Sequence, residues 1–330
     1  LRGNIIFENS KIDDQVLLKS DGFPTYHLAN IVDDYLMGIT HVIRAEEWIA
    51  SSPKHVQLYK AFGWEIPKWY HMPLLRNADK TKISKRKNPV SLNYYIEEGY
   101  LKEGILNFLA LMGWSFGGDK EIFTLEEMIK NFSFDKVSLG DPVFDLVKLK
   151  WVNNHHMRMK DLDELTKLAI PYFVRAGYYN NENISDKDYE KLRRIVEITR
   201  EGSQTLKELP INASIYFEDE FELPLLEEGM NKKERKSVEK LISSLETETG
   251  KKSISLFVEK LNALNENISE EEAKKILYDL QEELGEGPAT VIMPLRAVIT
   301  GKSKGSDLYT VISIVGKERV LKRIKNILEK

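Results

Sequence analysis

The chain has 330 residues, of which 42% are apolar, and a formal net charge of 48 − 52 = −4. This length predicts about two domains or a few small ones. The charge excludes a surface that is basic throughout, so any phosphate contact must come from local patches. The absence of cysteine excludes disulfides and thiolate–zinc sites. The sequence has neither an apolar run of about 18 residues nor a signal peptide, so we expect a cytoplasmic protein without membrane contact.

Three short apolar runs in the N-terminal part of the chain predict β-strands. They occupy residues 16–20, 40–44 and 69–75, and Pro73 weakens the third prediction because proline cannot donate to a strand ladder. Two segments with helical spacing separate these runs, which gives the order β-α-β-α-β. That order implies parallel strands with right-handed crossovers. It resembles one half of a doubly wound sheet, in which ligands lie at the carboxyl ends of the strands.

The two segments between the predicted strands are expected to be helices, at 25–38 and 51–64. In the first, Thr25 is a suitable N-cap residue and Gly38 is a suitable stop. Apolar residues recur along one face of this helix, and they are Leu28, Ile31, Val32, Tyr35 and Leu36.

The chain beyond Pro89 is predicted to be helical. Glycine turns separate the first of these helices, and from Trp151 onward helical spacing continues. One later helix begins with a capping box of Ser269 and Glu272 and stops at Gly285. Polar and proline-containing runs predict linkers at 153–161 and 216–229.

The sequence NADKTKISKRKNP, at residues 77–89, is the strongest local signal in the chain. Five of the eight residues from 80 to 87 are cationic, and they follow the third predicted strand, where parallel sheets bind phosphate. Lys82 and Lys85 lie three residues apart with Ser84 between them. Two ammonium groups and a hydroxyl can therefore converge on a triphosphate and stabilise departing pyrophosphate. The alternative is an ordinary solvated cluster of charges.

Three residues around the second predicted strand suit a carboxylate or a nucleotide. Arg44 can form a bidentate pair with a carboxylate ligand, or instead a salt bridge to an acid of the chain such as Asp33. Glu47 can accept a hydrogen bond from a ribose or an amine. Trp48 can flank a flat base, or it can simply pack in the core.

Tyr26 and Asn30 lie four residues apart, so they share one face of the first predicted helix near its start. There they can hydrogen-bond a small zwitterion held against that end of the helix. The alternative is a capped, half-buried helix start.

Long stretches of the sequence resemble the bacterial glutamyl-tRNA synthetases, which are class I aminoacyl-tRNA synthetases. The most specific stretches are DGFPTYHLANIVDDYLMGITHVIRAEEW and YHMPLLRNADKTKISKRK, in which KISKR stands at the lysine-rich adenylation loop of the family. Further similarity runs through GYLKEGILNFLALMGWS, VSLGDPVFDLVKLKWVN and MPLRAVITG, so it covers essentially the whole chain.

The resemblance implies an α/β fold followed by an all-α fold. The parts implied are the second half of a Rossmann-like parallel sheet, a stem-contact helical region and an α-helical anticodon-binding domain. The N-terminal portion of the family has no counterpart here, so we expect a piece of a longer protein. The expected domains are the C-terminal half of the catalytic domain (1–61), the last catalytic strand, KISKR loop and stem-contact region (62–150), and two helical anticodon-binding subdomains (151–225 and 226–330).

The resemblance also implies which residues contact the substrates. Glutamate would be bound by Tyr26, Asn30 and Arg44. Anticodon bases would contact Arg296 and Leu308. An arginine can contact a base edge or stack on a base, and the alternative for Arg296 is a surface ion pair.

The ATP site implied by the resemblance includes the mobile basic loop. The residues expected to act in catalysis are Lys82, Ser84 and Lys85. The residues expected to line the ATP site are Glu47, Trp48, Leu75, Lys82, Ile83, Ser84, Lys85 and Arg86.

The activity implied is that of a glutamate–tRNA ligase, which uses ATP and Mg²⁺ to form glutamyl-adenylate and transfers glutamate to the 3′ end of tRNA(Glu). We expect a monomer that forms no adenylate by itself. The family's histidine pair near the N-terminus is absent, and no metal site is predicted. The main alternative is a non-catalytic tRNA-binding fragment or regulator. A shortened paralogue that glutamylates a modified tRNA base would lack the helical region, and a glutaminyl enzyme would carry β-barrels there.

Overall fold

The fold comes from a computed structural model that describes residues 1–83, 91–227 and 229–329. Within these ranges the chain forms two compact units, Leu1–Met157 and Arg158–Lys330. The first unit contains a parallel pair of strands and helices, and the second is helical. This confirms the predicted α/β part followed by an all-α part, whereas the division into four domains stays a prediction. No helix in the described ranges is both long and apolar enough to cross a membrane.

The sheet of the first unit has two strands in the described part of the chain, β1 (His41–Ala45) and β2 (Lys68–Met72). They are parallel, as predicted, and their register places Arg44 opposite His71. β2 is shorter than its apolar run because it ends directly before Pro73, which has no N–H for the ladder. The carboxyl ends of both strands therefore lie at one rim of the sheet.

The strand predicted at 16–20 is wrong. An isolated antiparallel bridge between Leu18 and Pro24 is the only ladder contact in this region of the described chain. The Val16 and Leu18 side chains are 65% and 59% exposed, so no packed face holds the run in place. Pro24 also cannot donate a further ladder bond. An apolar run becomes a strand only where a neighbouring strand pairs with it.

The helices of the first unit follow the predicted order. The first ends before Gly38, whose φ is +68°, and Thr25 stands at its N-cap. Within that helix Ile31 is the buried member of the predicted apolar face, whereas Leu36 is exposed. The α-helices are α1 (Tyr26–Leu36), α2 (Ser52–Phe62), α3 (Leu92–Glu97), α4 (Lys102–Leu111), α5 (Leu125–Asn131) and α6 (Leu146–Met159), and the 3₁₀ turns are Asn9–Lys11, Glu46–Ser51 and Phe134–Lys136.

The linker predicted at 153–161 is wrong because this segment is helical as far as Met159. Asn153 is fully buried, and its Oδ1 accepts a hydrogen bond from the backbone N–H of Leu101 at 2.8 Å. The asparagine is therefore a buried polar contact, and Val152 on the same helix belongs to the core beside Tyr95, Tyr100, Phe108 and Leu149. The boundary between the two units nevertheless falls inside this segment, after Met157.

The second unit is a helical assembly. The capping box of Ser269 and Glu272 is confirmed, and Gly285 ends that helix in the left-handed conformation, as predicted. The described residues between Tyr216 and Lys232 contain no helix or strand, which agrees with the linker predicted there. The helices are α7 (Leu162–Arg175), α8 (Asp186–Thr199), α9 (Glu208–Asn212), α10 (Lys232–Glu246), α11 (Glu248–Asn262), α12 (Glu270–Leu284), α13 (Pro288–Thr300), α14 (Leu308–Val315) and α15 (Lys317–Leu328), with a 3₁₀ turn at Ser214–Tyr216.

A buried arginine connects three segments of the second unit. Arg323 of α15 is 1% exposed. Its Nη1 donates to the carbonyl of Ile299 at 3.0 Å, and its Nη2 donates to the carbonyls of Ile215 (2.7 Å) and Glu218. Burial lowers the pKa of Arg323 to about 10. The guanidinium thus joins α15 to the end of α13 and to the segment around residue 215.

Candidate functional site

Arg44 lies near the carboxyl end of β1, and the chain returns to it twice. Its register partner on β2 is His71. Directly after β1 the chain forms the Glu46–Ser51 turn and then α2. This short connection brings Trp48, Ser52 and His55 back to the Arg44 side chain. The local sequence therefore surrounds the guanidinium of this β1 residue with groups from the Glu46–Ser51 turn, α2 and β2.

The Arg44 guanidinium is held by neutral groups. Nη2 donates to Ser52 Oγ at 3.0 Å and to the carbonyl of Trp48 at 3.3 Å. Nη1 lies 3.2 Å from His55 Nδ1, and Nε donates to His71 Nε2 at 3.2 Å. These contacts fix the guanidinium without supplying a negative charge.

Both histidines are neutral at pH 7. Burial lowers the pKa of His55 to about 4, with further lowering by Arg44 and His27. Burial also lowers the pKa of His71 to about 4, with further lowering by Arg44 and Arg2. Because His55 accepts from Arg44 at Nδ1, its Nε2–H donates to His27 Nδ1, which lies 2.9 Å away.

The positive charge of Arg44 is not neutralised by an ion pair among the residues that the structure describes. In the described ranges no acid lies within ion-pair distance of it, so the alternative salt bridge to Asp33 is not formed. Burial lowers the pKa of Arg44, while Tyr26 and Asp34 partly oppose this effect. A half-buried guanidinium with neutral partners is suited to pair with a carboxylate that comes from outside the chain.

Two aromatic side chains lie beside this guanidinium. The Tyr26 ring centroid is 4.9 Å from that of Trp48, and the Tyr26 hydroxyl interacts with Arg44. Trp48 is half-buried, so it is not the core residue of the alternative interpretation. Asn30 lies one turn beyond Tyr26 on α1 and is also half-buried. Three of the residues predicted for glutamate and ATP are thus in mutual contact: Tyr26, Arg44 and Trp48.

The basic loop begins next to Glu47. Lys82 forms an ion pair with the Glu47 carboxylate, and both side chains are about half exposed. The backbone N–H of Ile83 donates to the carbonyl of Leu75 at 3.3 Å. This brings four of the predicted ATP-site residues to the rim that carries Arg44. Ser84, Lys85 and Arg86 lie outside the described residues.

The two residues predicted to contact the anticodon lie in the second unit. Arg296 of α13 is half-buried, and its Nη2 donates to the carbonyl of Ser306 at 2.9 Å. It forms no ion pair in the described part of the chain, which argues against the surface ion pair considered as the alternative. Leu308 is the first residue of α14 and is 2% exposed. Its side chain belongs to the core, so only its backbone is available to a base in this conformation.

Sequence analysis missed the residues that hold Arg44, namely Ser52, His55 and His71. A usable signal exists for one of them. In parallel strands of known register, the residue opposite Arg44 follows directly, and it is His71. The positions of Ser52 and His55 depend on how the Glu46–Ser51 turn redirects the chain, and composition does not encode that turn.

No group of three or more histidine, cysteine, aspartate or glutamate side chains within the described ranges could hold a metal ion.

Comparison with known proteins places the chain in a family. Residues 1–151 match the family model "tRNA synthetases class I (E and Q), catalytic domain", and residues 164–328 match "Anticodon binding domain". The chain therefore belongs to the class I tRNA synthetase family of the E and Q type, in the form that carries this anticodon-binding domain.

The similar proteins within that family are glutamate–tRNA ligases. That of Fusobacterium nucleatum is 66% identical over an alignment 331 residues long, which covers 100% of this chain and 65% of the relative. That of Thermus thermophilus is 44% identical over 99% of this chain and 65% of the relative. The chain thus spans about 65% of the length of the curated relatives that it matches.

Solved structures agree with this assignment. A glutamate tRNA ligase from Elizabethkingia meningosepticum, solved in complex with its amino acid, has a TM-score of 0.78 and 32% identity over 97% of this chain and 63% of that one. The enzyme from Elizabethkingia anophelis has a TM-score of 0.76 and 31% identity over the same shares.

Proposed function

We propose that the chain forms part of a glutamate–tRNA ligase, which activates L-glutamate with ATP and transfers it to the 3′ end of tRNA(Glu). The observation that carries this proposal is the Arg44 guanidinium, fixed by neutral groups at the rim where the Lys82–Glu47 ion pair also lies. Membership of the family and the similarity to glutamate–tRNA ligases support the same proposal.

Arg44 would bind a carboxylate of the amino acid. His55 and His71 accept two of its N–H groups but leave its charge available, so a carboxylate gains a full ion pair on binding. Tyr26 and Asn30 would hydrogen-bond the rest of the zwitterion from α1. A shorter acid such as aspartate would not span both sets of groups, which makes Arg44 a specificity-determining residue in this proposal.

ATP would bind along the Glu47–Leu75 side of the rim. Trp48 would flank the base, and Lys82 would leave Glu47 to contact the triphosphate together with Ser84, Lys85 and Arg86. A glutamate carboxylate oxygen then attacks the α-phosphorus, and the bond to pyrophosphate breaks. The basic side chains stabilise the charge that develops on the leaving group.

The transfer step needs no nucleophilic side chain. The terminal ribose hydroxyl of tRNA attacks the carbonyl carbon of the adenylate and loses its proton. An ester forms, the bond between the carbonyl carbon and the phosphate oxygen breaks, and AMP leaves. The protein contributes mainly by holding both substrates in place. Mg²⁺ would enter with the phosphates of ATP, because the described residues supply no acidic cluster for it.

The helical second unit would bind tRNA through the anticodon. Arg296 presents a half-buried guanidinium beside Ser306, which suits a base edge or a stacked base. Leu308 would contribute through its backbone at the start of α14. A monomeric, cytoplasmic protein stays a prediction.

The proposal can be tested by binding measurements on the 330-residue chain. L-Glutamate should bind, D-glutamate and L-aspartate should bind at least about tenfold more weakly, and Arg44→Gln should lose L-glutamate binding. Arg235→Gln, at an exposed site on α10, is the matched surface control because it removes the same charge. Equal binding of the three acids, or glutamate binding that survives Arg44→Gln, would overturn the assignment.

Glutamate-dependent pyrophosphate exchange tests the alternative, a non-catalytic tRNA-binding fragment or regulator, because only a catalytic protein can show it. The sequence-based expectation is that the 330-residue chain shows no exchange by itself. Exchange above background that requires L-glutamate would overturn that expectation and would also exclude a purely non-catalytic protein.

A further inference from the structure

The second unit contains a cationic cavity beside Arg296. Its volume is about 260 Å³, and Tyr216 and Thr300, both buried, contribute to its lining. Arg296, Lys302 and Lys304 are the cationic residues of the lining, and none of the described lining residues is acidic. In a chain with a net charge of −4, this is a local concentration of positive charge.

The loop that carries the two lysines, residues 301–306, has a fixed backbone. It begins at Gly301, whose φ is +65° and where an added Cβ would lie 2.6 Å from the Phe221 ring. The Lys302 N–H donates to Thr300 Oγ1 at 3.1 Å, and Ser303 Oγ lies 2.8 Å from Ser237 Oγ. The loop is therefore anchored on both sides of its lysines.

The last residue of the loop, Ser306, is held by hydrogen bonds from two residues that line the cavity. Ser306 receives a hydrogen bond from the Tyr216 hydroxyl at Oγ (3.1 Å) and one from Arg296 at its carbonyl (2.9 Å). Gly305 has a φ of +146°, and its missing Cβ would lie 3.7 Å from Arg296 Nη1. The guanidinium is thus hydrogen-bonded to the loop backbone and close to Gly305, so its position is coupled to that of the loop.

The cationic side chains of this cavity form no ion pair within the part of the chain that the structure describes. Lys302 and Lys304 are exposed, and neither forms an ion pair in the described ranges. Burial lowers the pKa of Arg296, and Asp307 partly opposes this effect from the N-cap of α14. The Asp307 carboxylate instead accepts a hydrogen bond from the Tyr309 hydroxyl at 2.8 Å. An anchored loop with two unpaired ammonium groups around a half-buried guanidinium is suited to an anion with a flat group attached.

We propose that the 301–306 loop is a phosphate-binding loop for tRNA, in which Lys302 and Lys304 contact the backbone phosphates on either side of the base that lies against Arg296. This inference rests on the proposed function, because it takes the bound RNA to be the anticodon loop of a tRNA. It assigns separate roles within one cavity. The lysines provide affinity without regard to sequence, and Arg296 provides base selection.

The test is tRNA binding to the 330-residue chain at several salt concentrations. The double variant Lys302→Gln, Lys304→Gln should bind tRNA(Glu) about tenfold more weakly at low salt. The slope of log affinity against log salt should fall by about 1.4, because each phosphate contact on single-stranded RNA contributes about 0.7. The weakening should be the same for tRNA(Glu) and for a transcript with a substituted anticodon base, whereas Arg296→Lys should reduce the difference between these two RNAs.

The matched control is Lys252→Gln, Lys275→Gln. Both lysines are exposed on α11 and α12, outside the cavity lining, and the change in net charge is the same. It should leave the salt slope within error of the unaltered chain. Thermal unfolding of both double variants should be unchanged, because all four side chains are exposed.

Three results would overturn the proposal, and they are distinguishable. Equal loss of affinity in both double variants would show a general charge effect and not a site. An unchanged salt slope in the loop variant, with tRNA still bound by the unaltered chain, would refute the loop while leaving the proposed function intact. Absence of tRNA binding by the unaltered chain would refute both.

Discussion

Acidification from pH 7 to pH 5 should destabilise the first unit, because two of its buried histidines are neutral. His55 and His71 are 1% and 7% exposed, and the pKa of each is lowered to about 4. In an unfolded chain the pKa of histidine is about 6.5. The unfolded state therefore binds more protons across this range, so the free energy of unfolding falls as the pH falls.

The magnitude follows from the two pKa values. For one histidine with a pKa of about 4 when folded and about 6.5 when unfolded, the loss between pH 7 and pH 5 is about 2 kcal/mol. The two residues together should cost about 4 kcal/mol, since both remain neutral in the folded state at pH 5. Asp34 has the opposite effect on the free energy of unfolding. Burial raises its pKa, so the folded state binds its proton more readily than the unfolded state as the pH falls.

Denaturant unfolding followed by tryptophan fluorescence provides the assay. The signal reports the first unit alone because all the tryptophans lie there, at Trp48, Trp64, Trp69, Trp114 and Trp151. Replacing His55 or His71 with glutamine should remove about half of the pH dependence. His41→Gln is the matched control, because His41 is an exposed histidine on β1.

Two outcomes would refute this reasoning. One is a free energy of unfolding that stays constant from pH 7 to pH 5. The other is a full pH dependence in the double variant that lacks both histidines. Either outcome would mean that His55 and His71 are not the buried, neutral hydrogen-bond acceptors of Arg44 in solution.

Three further predictions concern the first unit. His71→Glu should weaken L-glutamate binding at least about tenfold, as measured by calorimetric titration, because the new carboxylate would neutralise Arg44. Unchanged binding would mean that the side chain at position 71 does not face Arg44. Glu47→Gln should change the free energy of unfolding by less than about 1 kcal/mol in urea, because the ion pair that it removes is half exposed. Gly104→Ala should lower the same free energy by about 1–3 kcal/mol, because the added Cβ would lie 2.6 Å from Asn153 Oδ1; an unchanged unfolding midpoint would contradict this packing.

Predictions that rest on sequence patterns were confirmed for several elements of the fold. The helix after Thr25 and the capping box at Ser269 follow from hydrogen bonds and side-chain periodicity within a few residues. The parallel direction of β1 and β2 follows from the order of strands and helices along the chain. The resemblance to the synthetase family added the expected site residues, and it did so through motifs and not through physical reasoning.

Features that depend on distant partners could not be predicted. The run at 16–20 has strand composition, but the described chain provides no neighbour to pair with it. Asn153 has loop composition, but Leu101, which is 52 residues away, supplies a buried donor. The neutral state of His55 and His71 depends likewise on burial and on the nearby Arg44 guanidinium. No local sequence pattern predicts either of these properties.

The buried Arg323 has a consequence for how the second unit folds. Its guanidinium satisfies carbonyls that lie 24, 105 and 108 residues away in the chain, and none of these contacts exists until α15 has docked. Removing α15 would take away the donors of these carbonyl oxygens and would expose the apolar surface against which Val320 and Ile324 pack. We therefore expect the second unit to fold in one cooperative transition that requires its last helix. A version of the chain cut before Gly316 should leave this unit disordered and should not give a smaller folded domain.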